Sequence, residues 1–143
     1  MEAAIGIDPA KNSLAVAAVD ALGRCLALPI SNNSKGHRAL LRWVGKRGRD
    51  RVIGIECAAG TEPGVSRLLL GCGQDVQEVP STLTHRERRR RASHGKSDLV
   101  DSVAIARIAA RGEELPSART LELLTDIRAL VGFRDQLVRA RIQ

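Results

Sequence analysis

The sequence predicts an α/β fold built on a mixed sheet, in the order β-β-β-α-β-α-β-α, with one further amphipathic helix at the C-terminal end. Three observations carry that expectation. Three apolar runs near the N-terminus are joined by turns too short for a crossover, so those strands pair antiparallel. Two later apolar runs each follow a stretch of helical spacing, as parallel strands require. From Ser97 onward the apolar residues recur only at helical spacing.

Ala3 to Asp8 reads as a buried strand, followed after Pro9-Ala10-Lys11-Asn12-Ser13 by Leu14 to Val19 and, after Asp20-Ala21-Leu22-Gly23, by Cys25 to Ile30. Ser31-Asn32-Asn33-Ser34 supplies a helix N-cap, with Ala39, Leu40, Trp43 and Val44 behind it and a stop at Gly45 or Gly48. Val52 to Glu56 is β-branched without alternation, the pattern of a strand covered on both faces. Thr61 caps a second helix through Val65, Leu68 and Leu69, which stops at Gly71-Cys72-Gly73; Asp75 to Val79 is a short strand that Pro80 breaks. Ser81 to Lys96 is basic and without clear period, and reads as a mobile loop or a weak helix, long enough to be functional. Ser97 caps a helix whose face is Val100, Val103, Ala104 and Ile108, and a last helix runs from Arg119 to Gln143. Gly6 and Gly54 lie inside strands, which points to close backbone approach or a helix packed tightly overhead. Antiparallel strands extended by parallel ones, with helices on both faces, is the RNase H-like order.

The 143 residues suffice for one domain with a real core, and 43% hydrophobic with 27% charged residues describes a globular chain. No apolar run approaches the roughly 20 residues of a membrane span. Met1-Glu2-Ala3 lacks the basic start of a signal peptide, so the expected compartment is the cytoplasm and no membrane partner is expected. Lys and Arg number 23 against 16 acids, for a net charge of +7. Much of that excess lies in His85-Arg86-Glu87-Arg88-Arg89-Arg90-Arg91, which suits a polyanion such as nucleic acid; a solvated surface run is the plainer explanation. With Trp43, Phe133 and no Tyr, base stacking is a poor prospect, so contact would run through phosphates. Cys25, Cys57 and Cys72 have no zinc-like spacing and read as free thiols.

The sharpest chemistry lies in four carboxylates. Asp8 and Glu56 end two apolar strands that neighbour one another in this order, and Asp98 and Asp101 share one face of a helix start. Hard divalent ions such as Mg2+ or Mn2+ take oxygen ligands, and phosphodiester cleavage with two ions needs such a cluster. Grouped carboxylates repel unless a metal or a basic neighbour compensates, and Lys96, His94 and the arginine run are the candidates. Singly, each acid has a structural explanation: a turn at Asp8-Pro9, a solvent-facing strand end at Glu56, first-turn acids at Asp98 and Asp101. Together they fall at matched ends of the right elements.

At these residues the chain resembles the DEDD transposases of bacterial insertion sequences, a family with a RuvC-like N-terminal domain that includes the pilin-gene invertases. The matching pieces are Ile5-Gly6-Ile7-Asp8, Val52-Ile53-Gly54-Ile55-Glu56, Val79-Pro80 with the basic run, and Gly95-Lys96-Ser97-Asp98-Leu99-Val100-Asp101-Ser102-Val103-Ala104-Ile105-Ala106. Ser102 stands where the family usually has Ala. The resemblance implies a RuvC-like domain over residues 1–112 with Asp8, Glu56, Asp98 and Asp101 as the catalytic, metal-binding tetrad. It also implies that residues 117–143 begin a coiled-coil connector, and that the family's serine-bearing C-terminal domain is absent from this sequence. DNA, a structured guide RNA and further copies of the chain are the implied partners. Arg86, Arg88, Arg89, Arg90, Arg91 and Lys96 are the candidate nucleic-acid contacts. In the last helix Leu123, Leu130 and Leu137 repeat at seven, as do Leu124, Val131 and Val138, with Ile127 between; such a stripe needs a partner surface or packs on its own domain.

Two other readings stand beside this one: a stand-alone RuvC-like Holliday-junction nuclease that uses water, and a non-catalytic nucleic-acid-binding or oligomerisation module. Actin-like kinases share the Ile5-Gly6-Ile7-Asp8 opening but need a Gly-Thr phosphate loop, and Pro9-Ala10-Lys11 follows here.

Overall fold

A computed structural model describes residues 1–56, 63–91 and 97–142. Strands β1 (Ala3–Pro9), β2 (Ser13–Asp20) and β3 (Cys25–Ser31) form the antiparallel meander; then come α1 (Ser34–Gly45), β4 (Arg51–Ile55), α2 (Pro63–Gly71), β5 (Val76–Glu78), α3 (Ser81–Arg90), α4 (Asp98–Ala110) and α5 (Ala118–Ile142). The sheet order is β3-β2-β1-β4-β5, with β4 parallel to both β1 and β5.

Alternation along the central strands divides the core. Ile5, Ile7, Ile53 and Ile55 face α1 and α2, where they pack with Leu40, Val44, Val65 and Leu69. Gly6 and Gly54 face the other way, and α4 lies directly on them. A Cβ on Gly6 would stand 2.1 Å from the Ser102 carbonyl oxygen, and one on Gly54 would stand 3.1 Å from the Ala109 Cβ. Both glycines are thus sites of close helix approach, as expected. β4 is covered on both faces, which is why its sequence does not alternate. Asn33 is the residue that caps α1, accepting from the Gly36 amide at 2.8 Å.

Three expectations sharpen or change. Of the two readings of Ser81 to Lys96, loop or weak helix, the helix holds for the first ten residues, which form α3 and add a helix to the expected order. The helix forms because Thr84 and Glu87 are buried against the domain, so polar side chains carry its inner face. The buried face of α4 is broader than expected. It includes Asp101, Ser102, Ile105, Ala106 and Ala109 beside Ala104 and Ile108, while Val100 and Val103 are half-buried, because both the sheet and α3 cover the helix. The fifth strand begins at Val76 and stops at Glu78. The Thr61 cap and Cys57 lie outside the described residues.

Past α4, Gly112 takes a φ of +67° and turns the chain back. Ser117 then pairs with Gln77 in an antiparallel bridge, and Ala118 is buried in the core, so α5 leaves from the β5 edge. Leu123, Ile127, Leu130, Val131, Leu137 and Val138 are all exposed along it; the Leu124 side chain lies outside the described residues. Among the described residues no helix is long and apolar enough to cross a membrane.

Candidate active site

Backbone register brings the two strand acids together. Gly6 pairs with Gly54 and Ile7 with Ile55, and the Glu56 amide donates to the Ile7 carbonyl at 3.1 Å, carrying the pairing one residue past β4. Asp8 and Glu56 are each two residues beyond a glycine, so both sit on the α4 face. The Ser97 hydroxyl accepts from the Val100 amide at 3.2 Å and fixes the start of α4 there. Asp101 is 8% exposed and Asp98 is exposed.

Glu56, Asp98 and Asp101 lie within electrostatic reach of Asp8. Burial first, and then the charges of Glu56, Asp101 and Asp98, together raise the Asp8 carboxyl from 3.8 to about 7, against the opposing charge of Arg88. Burial, then the Asp101 charge, also raises Glu56, while His85, Thr84 and Arg88 oppose the rise.

Helix α3 forms the opposite wall. Arg88 Nε stands 3.0 Å from Asp101 Oδ1, with the two side chains only 14% and 11% exposed. An Arg88 Nη also contacts His85 Nδ1. One position along, Glu87 is buried between α3 and α4. Burial works against its ionisation, but Arg111 and then Arg91 outweigh it and hold its carboxyl below the usual range.

Carboxylate oxygens fit a hard divalent ion by chemistry. Asp101 Oδ1 is buried and faces the Arg88 guanidinium, which takes the place of a cation there. Among the described residues, however, no three acidic, His or Cys side chains stand at the spacing of a closed metal cage.

A family model described as a transposase, of the DEDD type of the IS110 elements, matches residues 5–143. The chain belongs to this transposase family. No curated protein sequence matches it. Among solved structures, a Thermus thermophilus RuvC in complex with Holliday junction substrate is similar at a TM-score of 0.60 and 15% identity, covering 82% of this chain and 99% of that one. A second Thermus thermophilus RuvC structure gives 0.59 and 14%, covering 80% and 99%. That likeness shows an RNase H-like fold of the RuvC kind.

In this transposase chain the basic run does not act as one patch. Arg88 turns in towards the carboxylates, and Arg91 pairs with Glu87 at 3.5 Å. Arg86, Arg89 and Arg90 are exposed. Lys96 and His94 lie outside the described residues. A groove of about 280 Å³ runs between α3, α4 and β3, lined by Ala27, Val100 and Val103 and by the charged Glu87, Arg88, Arg91 and Arg107. Thr84, Glu87 and Arg107 were not legible as site residues. The available signal was spacing: Thr84, Glu87, Arg88 and Arg91 fall at i, i+3, i+4 and i+7, one face of a helix.

Proposed function

We propose that this chain carries the metal-dependent centre with which a DNA transposase cleaves and exchanges strands. The observation that supports it most is that Asp8 feels Glu56, Asp98 and Asp101 at once. On this reading all four hold Mg2+ or Mn2+. A pair of such ions supplies Lewis-acid stabilisation of the attacking and leaving oxygens of a phosphodiester. The chain's own part is to gather the oxygens, exclude bulk water with α3 and align a strand in the groove. Arg91 and Arg107 take the phosphates there, while Arg86, Arg89, Arg90 and Lys96 extend the basic track. Contacts to phosphate do not read sequence, so the same track suits a structured guide RNA. The exposed apolar residues of α5 suit self-association as a coiled coil.

The test is calorimetric titration of Mn2+ at several pH values. Metal and proton compete for Asp8, whose carboxyl holds its proton up to about pH 7. Affinity therefore falls about tenfold per pH unit below 7 and levels off above it. A flat profile between pH 5 and 8 would count against the site. Nicking of a four-way DNA junction in Mn2+ by this chain alone would instead favour the stand-alone nuclease.

The groove makes a separate prediction. Arg107→Ala and Arg91→Ala each weaken DNA binding and reduce the slope of log affinity against log salt by about 1. Fluorescence anisotropy over a salt series measures both. Slopes equal to that of the unmodified chain would place the strand elsewhere.

A further inference from the structure

We propose that Arg88 is a resident counter-cation of the acidic centre: its guanidinium holds Asp101 until a divalent ion replaces it, and loading of the ion releases Arg88 into the neighbouring groove. The inference rests on the metal-binding reading above and adds a residue that controls it.

Placement comes first. Arg88 lies on the inner face of α3, four residues after the buried Thr84, and its contact with Asp101 is almost closed to solvent. Its charge also acts on Asp8 and Glu56. One guanidinium thus serves three acids that would otherwise repel one another in a half-buried space. It occupies the electrostatic position that a metal would take.

The two cations are incompatible there. A divalent ion coordinated by Asp101 would stand close to the guanidinium, and like charges at such spacing in a partly dry site repel strongly. A lysine could resolve the conflict by losing a proton. Arginine stays charged at any relevant pH, so it must move. The ion pair with Asp101 is the contact that must open, and its Nε–Oδ1 distance is 3.0 Å. Arg88 also has somewhere to go: it already lines the groove shared with Arg91 and Arg107, where a nucleic-acid phosphate offers a new partner.

Mn2+ affinity is measured by calorimetry at pH 8 for the unmodified chain, Arg88→Gln, Arg88→Met and Asp8→Asn. Removing the competing charge tightens Mn2+ binding by roughly tenfold or more, since a charge at this distance shifts such equilibria by about one to three log units. Arg88→Met keeps the packed stem and guards against loss of fold. Folded Arg88 variants with unchanged or weaker affinity would overturn the proposal. If Asp8→Asn binds Mn2+ as the unmodified chain does, the metal reading itself fails, and this inference with it. A readout on the unmodified chain decides the matter if both variants unfold. The arginine Nε–H resonance of Arg88 should move on addition of Mg2+, with a midpoint equal to the binding midpoint. A resonance that stays in place while Mg2+ binds would refute the exchange.

Discussion

Asp8→Asn lowers Mn2+ affinity by at least about 100-fold, because a direct ligand should matter no less than the supporting groups whose loss costs 10–100-fold. Asn keeps the shape and one oxygen but removes the charge that a hard ion needs. Calorimetry gives the affinity, and thermal melts show that the fold survives. The same melts carry a second signature. In the folded chain the Asp8 carboxyl is raised from 3.8 to about 7, so the folded state binds the proton more tightly than the unfolded state. The stability this contributes is complete below pH 3.8 and is lost as pH climbs to about 7. Without metal, the Asn variant should therefore melt higher than the unmodified chain at pH 8 and much the same at pH 4. Equal melting at pH 8 would mean that the acids do not repel one another, and the cluster would not be a cluster.

Gly6→Ala should destabilise the domain by about 3 kcal/mol, at the upper end of what overpacking costs. The new Cβ would lie 2.1 Å from the Ser102 carbonyl oxygen and 2.4 Å from the Ala106 amide nitrogen. Both are backbone atoms, so no side chain can swing away and α4 itself must shift. That helix carries Asp98 and Asp101. Mn2+ affinity should fall with stability even though no ligand has been altered. Chemical denaturation measures the first effect and calorimetry the second. Gly132→Ala in α5 is the control: nothing lies within 4 Å of the added carbon, and the helix gains up to about 1 kcal/mol. A Gly6 variant as stable as the control would show that α4 does not rest on the strand.

Most of the fold was legible because the apolar pattern agrees with the topology at each step. The short turns at Pro9–Ser13 and Asp20–Arg24 force a meander, and the unbroken run at Val52 to Ile55 marks a strand between two layers. Gly6 and Gly54 announced the helix above them. Helix α3 was obscure for a physical reason. Its buried face is Thr84, Glu87 and part of Arg88, so the periodicity sits in polar residues that ordinarily face water. Pairing makes that burial tolerable: Arg111 and Arg91 for Glu87, Asp101 for Arg88. Of these partners only Arg91, four residues after Glu87, is visible from spacing along the chain; Arg111 and Asp101 are not. The strand acids could be placed by parity alone, but Arg107 could not. It joins the groove only because α4 runs past β3, where its guanidinium lies 3.5 Å from Cys25 Sγ.

The root of α5 has no swivel. Ser117 is paired to β5, and the next residue is already helical and buried, so the chain passes from sheet to helix without slack. An object gripping the far end, about 37 Å away at 1.5 Å per residue, would find its bearing set by the sheet rather than by a tether. β5 lies beside β4, the strand that leads into Glu56. Leverage on that rod would enter the domain one strand away from the acids.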